Sequence, residues 1–259
     1  KNKFKLIFHL AAQSYPHVSF SNPIETYQTN IDGTENILNS ALKCSPNAVV
    51  HVCSSSEVFG RVPKDKVPID EETSFHPASP YAISKCGTDL IGRYYAEAYG
   101  LNTQITRMFT HTGPRRGDVF MESTFAKQIA LIEKGFQEPV VKVGNLDSMR
   151  TIADVRDAVR AYWDLVNISP IPGSYYNIGG NKSLKVRDIL KDLIRFSKKD
   201  NIKFVVDQNR LRPIDADLQI PDMTKFKNKT NWEPSISYEN TMKDLLNYWR
   251  DRVQKEGNT

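Results

Sequence analysis

A tyrosine and a lysine four residues apart form the pattern with the clearest chemical use in this sequence. Tyr81 and Lys85 lie in the segment SPYAISK, which starts at Ser79. On a helix the two residues are one turn apart and share a face. Because a nearby ammonium favours the phenolate, we expect Lys85 to lower the pKa of Tyr81 from about 10. Tyr81 is thus a candidate general base for a substrate hydroxyl, although an isolated pattern of this kind is more often a surface pair.

A second polar segment comes directly after an apolar, valine-rich run at 48–53. Such a run is typical of a buried parallel strand, and open α/β sheets bind ligands at the carboxyl ends of their strands. The segment SSSEVFG supplies Ser55, Ser56 and Glu57 there as candidate catalytic residues. The alternative is that the serines only satisfy turn backbone and that Glu57 is a surface charge.

Strands and helices alternate along the chain and must position these groups. The patterns predict strands at 5–10, 48–53, 101–109 and 175–178, the last as the final strand, and helices at 29–43, 80–99 and 154–165. Ser79 is the expected N-cap of helix 80–99, with Pro80 in its first turn and Gly100 just past its end. The fold class is α/β, with a doubly wound parallel (Rossmann-like) sheet.

Composition excludes several classes of function. With 259 residues, 39% of them hydrophobic, the chain can bury a large core as one composite domain or two. No apolar stretch approaches the ~20 residues that span a bilayer, so no membrane partner is expected. The three cysteines form no CxxC pair, which favours a reduced, cytoplasmic location and no metal site. The net charge of +5 includes no basic run interleaved with aromatic residues, so no nucleic-acid partner is expected.

Four segments, HLAAQS (9–14), SSSEVFG, SPYAISK and GPRRG (113–117), together resemble the extended short-chain dehydrogenase/reductases. Over residues 6–250 the chain is most similar to the nucleotide-sugar 4,6-dehydratases of that family, in particular those that act on GDP-mannose. The resemblance implies a lyase that converts GDP-mannose to GDP-4-keto-6-deoxymannose with bound NADP or NAD, NADP being favoured, as internal hydride carrier. A 4-epimerase, a 4-keto-6-deoxy sugar reductase, or a non-catalytic truncated relative remain as alternatives.

The resemblance also implies residue roles. In the reaction Tyr81 and Ser55 would contact the oxygen on C4, Glu57 would take the proton from C5, and Ser56 or Glu57 would assist the loss of water. The cofactor would be bound by Leu10, Ala11, Ala12, Gln13, Ser14, Tyr27, Tyr81, Lys85, His111 and Arg116. The nucleotide sugar would be bound by Ser14, Thr110, Asn145, Arg150 and Arg212.

Three positions depart from the pattern of the GDP-mannose enzymes. Thr110 stands where they usually have Asn, Thr124 where they usually have Lys, and Thr151 where Asp usually follows the arginine. The first two leave the chemistry undisturbed and put the identity of the nucleotide in question.

The family's glycine-rich turn, which holds the dinucleotide pyrophosphate at a helix N-terminus, has no counterpart in this sequence. We therefore expect the first two or three βα units to be missing and the chain to be an incomplete enzyme. Residues 1–110 and 150–180 would form a partial dinucleotide-binding domain. Residues 111–149 and 181–259 would form a smaller α/β substrate domain.

The family commonly assembles through two long helices, here 29–43 and 80–99. A homodimer or homotetramer is therefore expected. The apolar residues that would supply the contact are Ile37, Leu38, Leu90, Tyr94 and Tyr95. Packing of these residues inside one chain is the alternative.

Overall fold

The structure, a computed structural model, describes residues 3–256. In this part of the chain the strands are β1 (Leu6–His9), β2 (Val49–Cys53), β3 (Asn102–Met108), β4 (His111–Thr112), β5 (Val140–Val143), β6 (Met149–Asp154), β7 (Ser174–Ile178), β8 (Lys182–Lys185), β9 (Lys203–Val206) and β10 (Leu218–Gln219). The α-helices are α1 (Pro16–Ser21), α2 (Pro23–Tyr27), α3 (Gly33–Cys44), α4 (Pro80–Tyr99), α5 (Met121–Glu133), α6 (Val155–Asn167), α7 (Val186–Arg195), α8 (Thr224–Thr230) and α9 (Tyr238–Glu256). None of the helices in residues 3–256 is long and apolar enough to cross a membrane.

The main sheet has four parallel strands in the order β1-β2-β3-β7. Side chains alternate between the two faces of a strand. Val50 and Val52 of β2 accordingly lie in one core cluster with Leu38 of α3 and Tyr95 of α4. The residue between them, His51, stacks on the Tyr162 ring of α6 with ring centroids 4.5 Å apart. Helices therefore cover both faces, which confirms the predicted α/β fold class.

Helix α4 carries the tyrosine–lysine pattern and has the predicted bounds. The Ser79 hydroxyl accepts a hydrogen bond from the Ala82 N–H at 3.0 Å, which caps the first turn. Gly100 ends the helix in a left-handed conformation with φ of 68°. The sequence thus determined both ends of the helix through local chemistry.

Two predicted elements differ in the structure. The strand at 175–178 is not the final one, because β8, β9 and β10 follow it. These strands build smaller sheets: β8 and β10 pair with β6, and β9 pairs with β5. The predicted helix 29–43 begins as a wide π-helical turn at Gln28–Asp32, and its regular part starts at Gly33.

The later part of the chain forms a separate core cluster in which α5, α7 and α9 pack around β5. Phe226 and Trp232, however, pack with Tyr162 and Tyr176 on the side of the main sheet. The segment around α8 thus belongs to the packing of the first part, although our proposed boundaries assign it to the substrate domain. The division into two domains remains a proposal.

Candidate active site

A cavity of about 490 Å³ lies where β2 and β3 end, between the main sheet and the later part of the chain. Open α/β sheets bind ligands at this edge. From the main-sheet side its lining includes Ser55, Ser56, Glu57, Tyr81 and Lys85, and it also contains Thr110, His111, Arg116, Asn145, Arg150 and Arg212. The fold therefore brings predicted site residues from several distant segments of the sequence together in one cavity.

Tyr81 and Lys85 share one face of α4 and both point into the sheet edge. The Ser55 hydroxyl lies close enough to the Tyr81 phenol to lower its pKa. The Lys85 ammonium lies 6.0 Å from the centre of the Tyr81 ring and donates a hydrogen bond to the Cys53 carbonyl at 2.8 Å. Serine, tyrosine and lysine therefore form one connected group at the end of β2.

The expected decrease in the pKa of Tyr81 is wrong for the protein without bound ligands. Burial, the largest effect, raises the pKa of the Tyr81 phenol well above its ordinary value. The nearby Ser55 hydroxyl and the positive charge of Arg116 oppose that rise. Burial also lowers the pKa of Lys85, whose ammonium is directed at the Cys53 carbonyl.

Glu57 is positioned by a single 3₁₀ turn, Ser56–Phe59. The Ser55 hydroxyl caps this turn by accepting the Glu57 N–H at 3.2 Å. The turn ends at Gly60, whose φ is 53° and whose absent Cβ would lie 1.7 Å from the His76 carbonyl oxygen. The Glu57 carboxylate acts electrostatically on Tyr81 and on Arg150, so it lies within reach of both groups in the cavity.

His111 and Arg116 follow β3 and line the same cavity. Burial lowers the pKa of His111 to about 4, so the imidazole is neutral at physiological pH. One ring nitrogen of His111 lies 3.2 Å from the Phe109 carbonyl. The Arg116 guanidinium lies 3.6 Å from the centre of the Phe120 ring, and burial lowers its pKa.

Three of the predicted substrate residues, Asn145, Arg150 and Arg212, line the far wall of the cavity, which the later part of the chain forms. The Asn145 amide donates to Ser148 Oγ at 3.0 Å and to a carboxylate oxygen of Asp215 at 2.9 Å. Arg150 donates to the carbonyls of Met149 and Ala216, both at 2.8 Å. Arg212 faces Asp215 at 3.8 Å, a distance that leaves its guanidinium available to another anion.

The residues after β1 divide into two groups. Leu10, Ala12 and Ser14 line the cavity. Ala11 and Tyr27 are not among its lining residues within 3–256, and Tyr27 is half-buried in α2. Their predicted cofactor contacts stay predictions.

Gln13 also lies away from the cavity lining, and its side chain is already engaged. The Gln13 amide donates to Thr26 Oγ1 at 3.0 Å and accepts the Tyr15 N–H at 2.6 Å. This side chain thus ties the end of β1 to α2. A direct cofactor contact by Gln13 stays a prediction.

The sequence did not indicate several residues that line the cavity. Glu122 and Phe120 stand at the start of α5, Tyr15 packs edge-on to Phe120 at 6.0 Å, and Tyr162 lies on α6. An acidic residue in the first turn of a helix is the ordinary companion of the helix dipole, so Glu122 carried no distinctive signal. Asp215 had a weak signal, since it stands three residues after Arg212.

A parallel sheet covered on both faces, with serine, tyrosine and lysine at its carboxyl edge, defines the class of the extended short-chain dehydrogenase/reductases. Comparison with known families gives the particular family within that class. The chain belongs to the GDP-mannose 4,6 dehydratase family, whose sequence model matches residues 1–245.

Two curated relatives illustrate the range of activities in this similarity. A GDP-6-deoxy-D-mannose reductase from Pseudomonas aeruginosa is 29% identical over 250 residues, covering 96% of this chain and 82% of the relative. GDP-mannose 4,6 dehydratase 2 from Arabidopsis thaliana is 30% identical over 256 residues, covering 96% of this chain and 67% of the relative. The similarity thus includes both a reductase and a dehydratase.

A solved structure, RMD from Pseudomonas aeruginosa complexed with NADPH, superposes with a TM-score of 0.89 at 28% identity. The alignment covers 96% of this chain and 82% of that structure. The similarity in fold therefore extends over nearly the whole described chain.

Proposed function

We propose that this protein is a nucleotide-sugar 4,6-dehydratase that converts GDP-mannose to GDP-4-keto-6-deoxymannose. The observation that carries the proposal is that the Glu57 carboxylate lines the same cavity as Tyr81 and Ser55. Oxidation and reduction at C4 require only the tyrosine and its partners. Loss of water from C5 and C6 requires an additional base, and Glu57 is a carboxylate at the right edge of the sheet.

The residues of the cavity fit a nicotinamide cofactor, and a relative of similar fold is known in complex with NADPH. Lys85 donates one hydrogen bond to the Cys53 carbonyl, so two of its three ammonium protons remain available to ribose hydroxyls of the cofactor. Leu10, Ala12 and Ser14 supply small or apolar surface beside it. We propose NADP, with NAD as the alternative; when bound it would accept a hydride from C4 of the sugar and return a hydride to C6, so that the sugar is rearranged without net oxidation.

The protein's own residues then perform the proton transfers. Tyr81 takes the proton of the hydroxyl on C4, with Ser55 hydrogen-bonded to the same oxygen. The ketone at C4 acidifies the hydrogen on C5, and Glu57 removes that proton. The hydroxyl on C6 leaves as water, with a proton from Ser56 or Glu57. Burial raises the pKa of Tyr81, and the nearby Ser55 hydroxyl and the charge of Arg116 oppose that rise, which is the direction that this role requires.

The diphosphate is the group that fits the arginines of the far wall. Arg150 and Arg212 line the cavity, and guanidinium groups recognise phosphate through paired hydrogen bonds. Thr110 and Thr124 also line it, where the GDP-mannose enzymes usually carry Asn and Lys. An assay of the substrate must therefore compare sugars that carry different nucleotides.

A second candidate is a GDP-4-keto-6-deoxymannose reductase. It is favoured by the similarity to the GDP-6-deoxy-D-mannose reductase and by the TM-score of 0.89 with the structure complexed with NADPH. In that reaction Tyr81 would donate its proton to the keto oxygen, and Glu57 would have no proton to remove.

Product analysis of the full-length protein separates these candidates. A dehydratase converts GDP-mannose to a 4-keto-6-deoxy product without net consumption of the nicotinamide cofactor. A reductase leaves GDP-mannose unchanged and consumes NADPH when given the 4-keto-6-deoxy sugar nucleotide. Parallel incubations with UDP- and dTDP-hexoses test the nucleotide. GDP-mannose returned unchanged would refute the proposed substrate, and the dehydratase proposal as a whole fails if these other nucleotide hexoses are unchanged as well.

We further propose that the protein forms a homodimer or homotetramer through α3 and α4, which pack side by side. Ile37 is 38% exposed, and Leu90 and Tyr94 are each 52% exposed, so they supply apolar surface for a second copy. The prediction was wrong for Leu38 and Tyr95, which are 0% and 3% exposed because they fill the chain's own core. A cytoplasmic location remains a prediction.

A further inference from the structure

Glu122 is a buried carboxylate that the proposed chemistry does not use. It stands in the first turn of α5, one residue after Met121, and lines the cavity. The residue is only 2% exposed, and its Oε1 atom has no hydrogen-bond partner among the described residues. A buried polar atom without a partner is costly, and native structures keep few of them. The most direct explanation is a ligand group that hydrogen-bonds to this oxygen.

The charges around Glu122 indicate which group that is. Its carboxylate raises the pKa of Arg116 and Arg150, although burial, the larger effect, lowers both. No salt bridge joins Glu122 to either arginine in the part of the chain that the structure describes. The Nε atom of Arg116 is likewise buried without a partner. A buried acceptor and a buried donor are therefore both left open beside the same cavity.

A hydroxyl satisfies both atoms, because it donates to a carboxylate and accepts from a guanidinium N–H. A phosphate does not, because it offers Glu122 only negative charge. The position along the cavity favours the sugar over the base. Arg116 also acts electrostatically on Tyr81, so Glu122 lies toward the end of the cavity where the reacting carbons must be. In a nucleoside diphosphate sugar the base lies beyond the diphosphate from that end.

We propose that Glu122 is a specificity-determining residue that accepts a hydrogen bond from a hydroxyl of the substrate's hexose. The inference rests on the proposed function only in that the ligand is a nucleotide sugar, and it holds for a dehydratase and a reductase alike. Glu122 thereby selects sugars that carry a hydroxyl at that position.

Binding measurements on the full-length protein test this role. GDP-mannose, UDP-glucose and dTDP-glucose are titrated by calorimetry, together with the nucleoside diphosphate of the best binder and NADPH. Removing a hydrogen bond between the ligand and a charged side chain weakens affinity by about 10- to 100-fold. We expect Glu122→Ala to lose that factor for the sugar nucleotide and to bind the nucleoside diphosphate and NADPH as the wild type does. Glu122→Gln, which keeps an acceptor oxygen, is expected to lose less.

Glu138→Gln is the matched control, since Glu138 is an exposed glutamate that follows α5 and does not line the site cavity. Equal weakening for the sugar nucleotide and the nucleoside diphosphate would assign Glu122 to the nucleotide and overturn the proposal. Weaker binding of NADPH would show that Glu122 contacts the cofactor. Unchanged affinity for every ligand in both Glu122 variants would show that Glu122 contacts none of them, and either result would overturn the proposal. If the wild type binds UDP- or dTDP-glucose but not GDP-mannose, the proposed substrate fails while the role of Glu122 is still tested. If it binds none of them, both proposals fail. Should Glu122→Ala not fold, Glu122→Gln carries the same comparison.

Discussion

The ion pair that fixes α4 to the sheet gives a direct test of how the catalytic helix is held. Asp89 lies on α4, two turns after Tyr81, and accepts two hydrogen bonds from Arg107 of β3, at 2.8 Å from Nε and 3.0 Å from Nη2. Both side chains are buried, with 0% and 1% of their surface exposed. Replacing Asp89 by alanine leaves the Arg107 guanidinium buried without its counter-charge and also removes the partner of the more exposed Arg93, whose Nε lies 3.1 Å from Asp89.

The expected cost follows from that geometry. Breaking one partner of a buried ion pair costs about 3–5 kcal/mol. Arg107 keeps a hydrogen bond to the Glu71 carbonyl at 2.7 Å and its contact with the Tyr175 ring at 4.4 Å, so we expect the lower end, about 3 kcal/mol. For 259 residues the unfolding entropy is roughly 0.5 kcal/mol per kelvin, which converts this loss to a decrease in Tm of about 6 °C.

Calorimetric or circular-dichroism melting of Asp89→Ala measures this shift. Glu233→Ala is the control, because Glu233 pairs with Lys227 at 3.0 Å while 71% of its side chain is exposed. Such exposed pairs contribute less than about 1 kcal/mol, or about 2 °C here. The double variant Asp89→Ala with Arg107→Met removes the orphaned charge and is expected to recover part of the loss. The reasoning is refuted if Asp89→Ala melts like the Glu233 control, or if the double variant is less stable than the single one.

Three further outcomes are expected. Burial lowers the pKa of His51 from 6.5 to about 3, so the unfolded chain binds a proton that the folded chain does not. The free energy of unfolding should therefore fall as the pH decreases from about 6.5, by at most about 1.4 kcal/mol per pH unit, and chemical denaturation of His51→Asn should show a shallower fall. Leu90→Asp should shift the full-length protein to a smaller species in light scattering, while Ile171→Asp, at a similarly exposed position, should not; equal masses would contradict the α3–α4 interface. Arg150→Gln should weaken binding of both the sugar nucleotide and the nucleoside diphosphate by about 10-fold or more, and an unchanged Kd would remove it from the diphosphate site.

Local patterns in the sequence were sufficient for most elements near the site. The cap at Ser79 and the glycine at 100 fix helix α4 through contacts within a few residues, so its bounds could be predicted. The alternation in β2 and its position before SSSEVFG placed Glu57 and Tyr81 at one sheet edge, as the cavity lining has them. These features depend on spacing and on local hydrogen bonds, both of which are legible in a sequence.

Features that depend on three-dimensional packing could not be predicted in this way. The pKa of Tyr81 depends on how deeply it is buried and on the direction of the Lys85 ammonium, and neither follows from the spacing of the two residues. Leu38 and Ile37 are neighbours in sequence, yet one fills the core and the other faces outward. The strands after residue 178 are short, and β8 and β10 are held by pairing with β6, which lies far away in sequence. The sequence could not indicate a role for Glu122, because that role depends on its burial without a hydrogen-bond partner and on the two nearby arginines.

The most direct test of the proposed dehydratase function is the variant Glu57→Gln in the full-length protein. This change keeps the volume of the side chain and removes the base for the C5 proton, so turnover of GDP-mannose should fall by about 10²–10⁴-fold. Tyr81 and Lys85 are unchanged, and we therefore expect oxidation at C4 to proceed and reduced nicotinamide to accumulate, visible by its near-ultraviolet absorbance. Tyr81→Phe, by contrast, should show neither product nor reduced nicotinamide. Turnover of Glu57→Gln near the wild-type rate would contradict the assignment and favour the reductase.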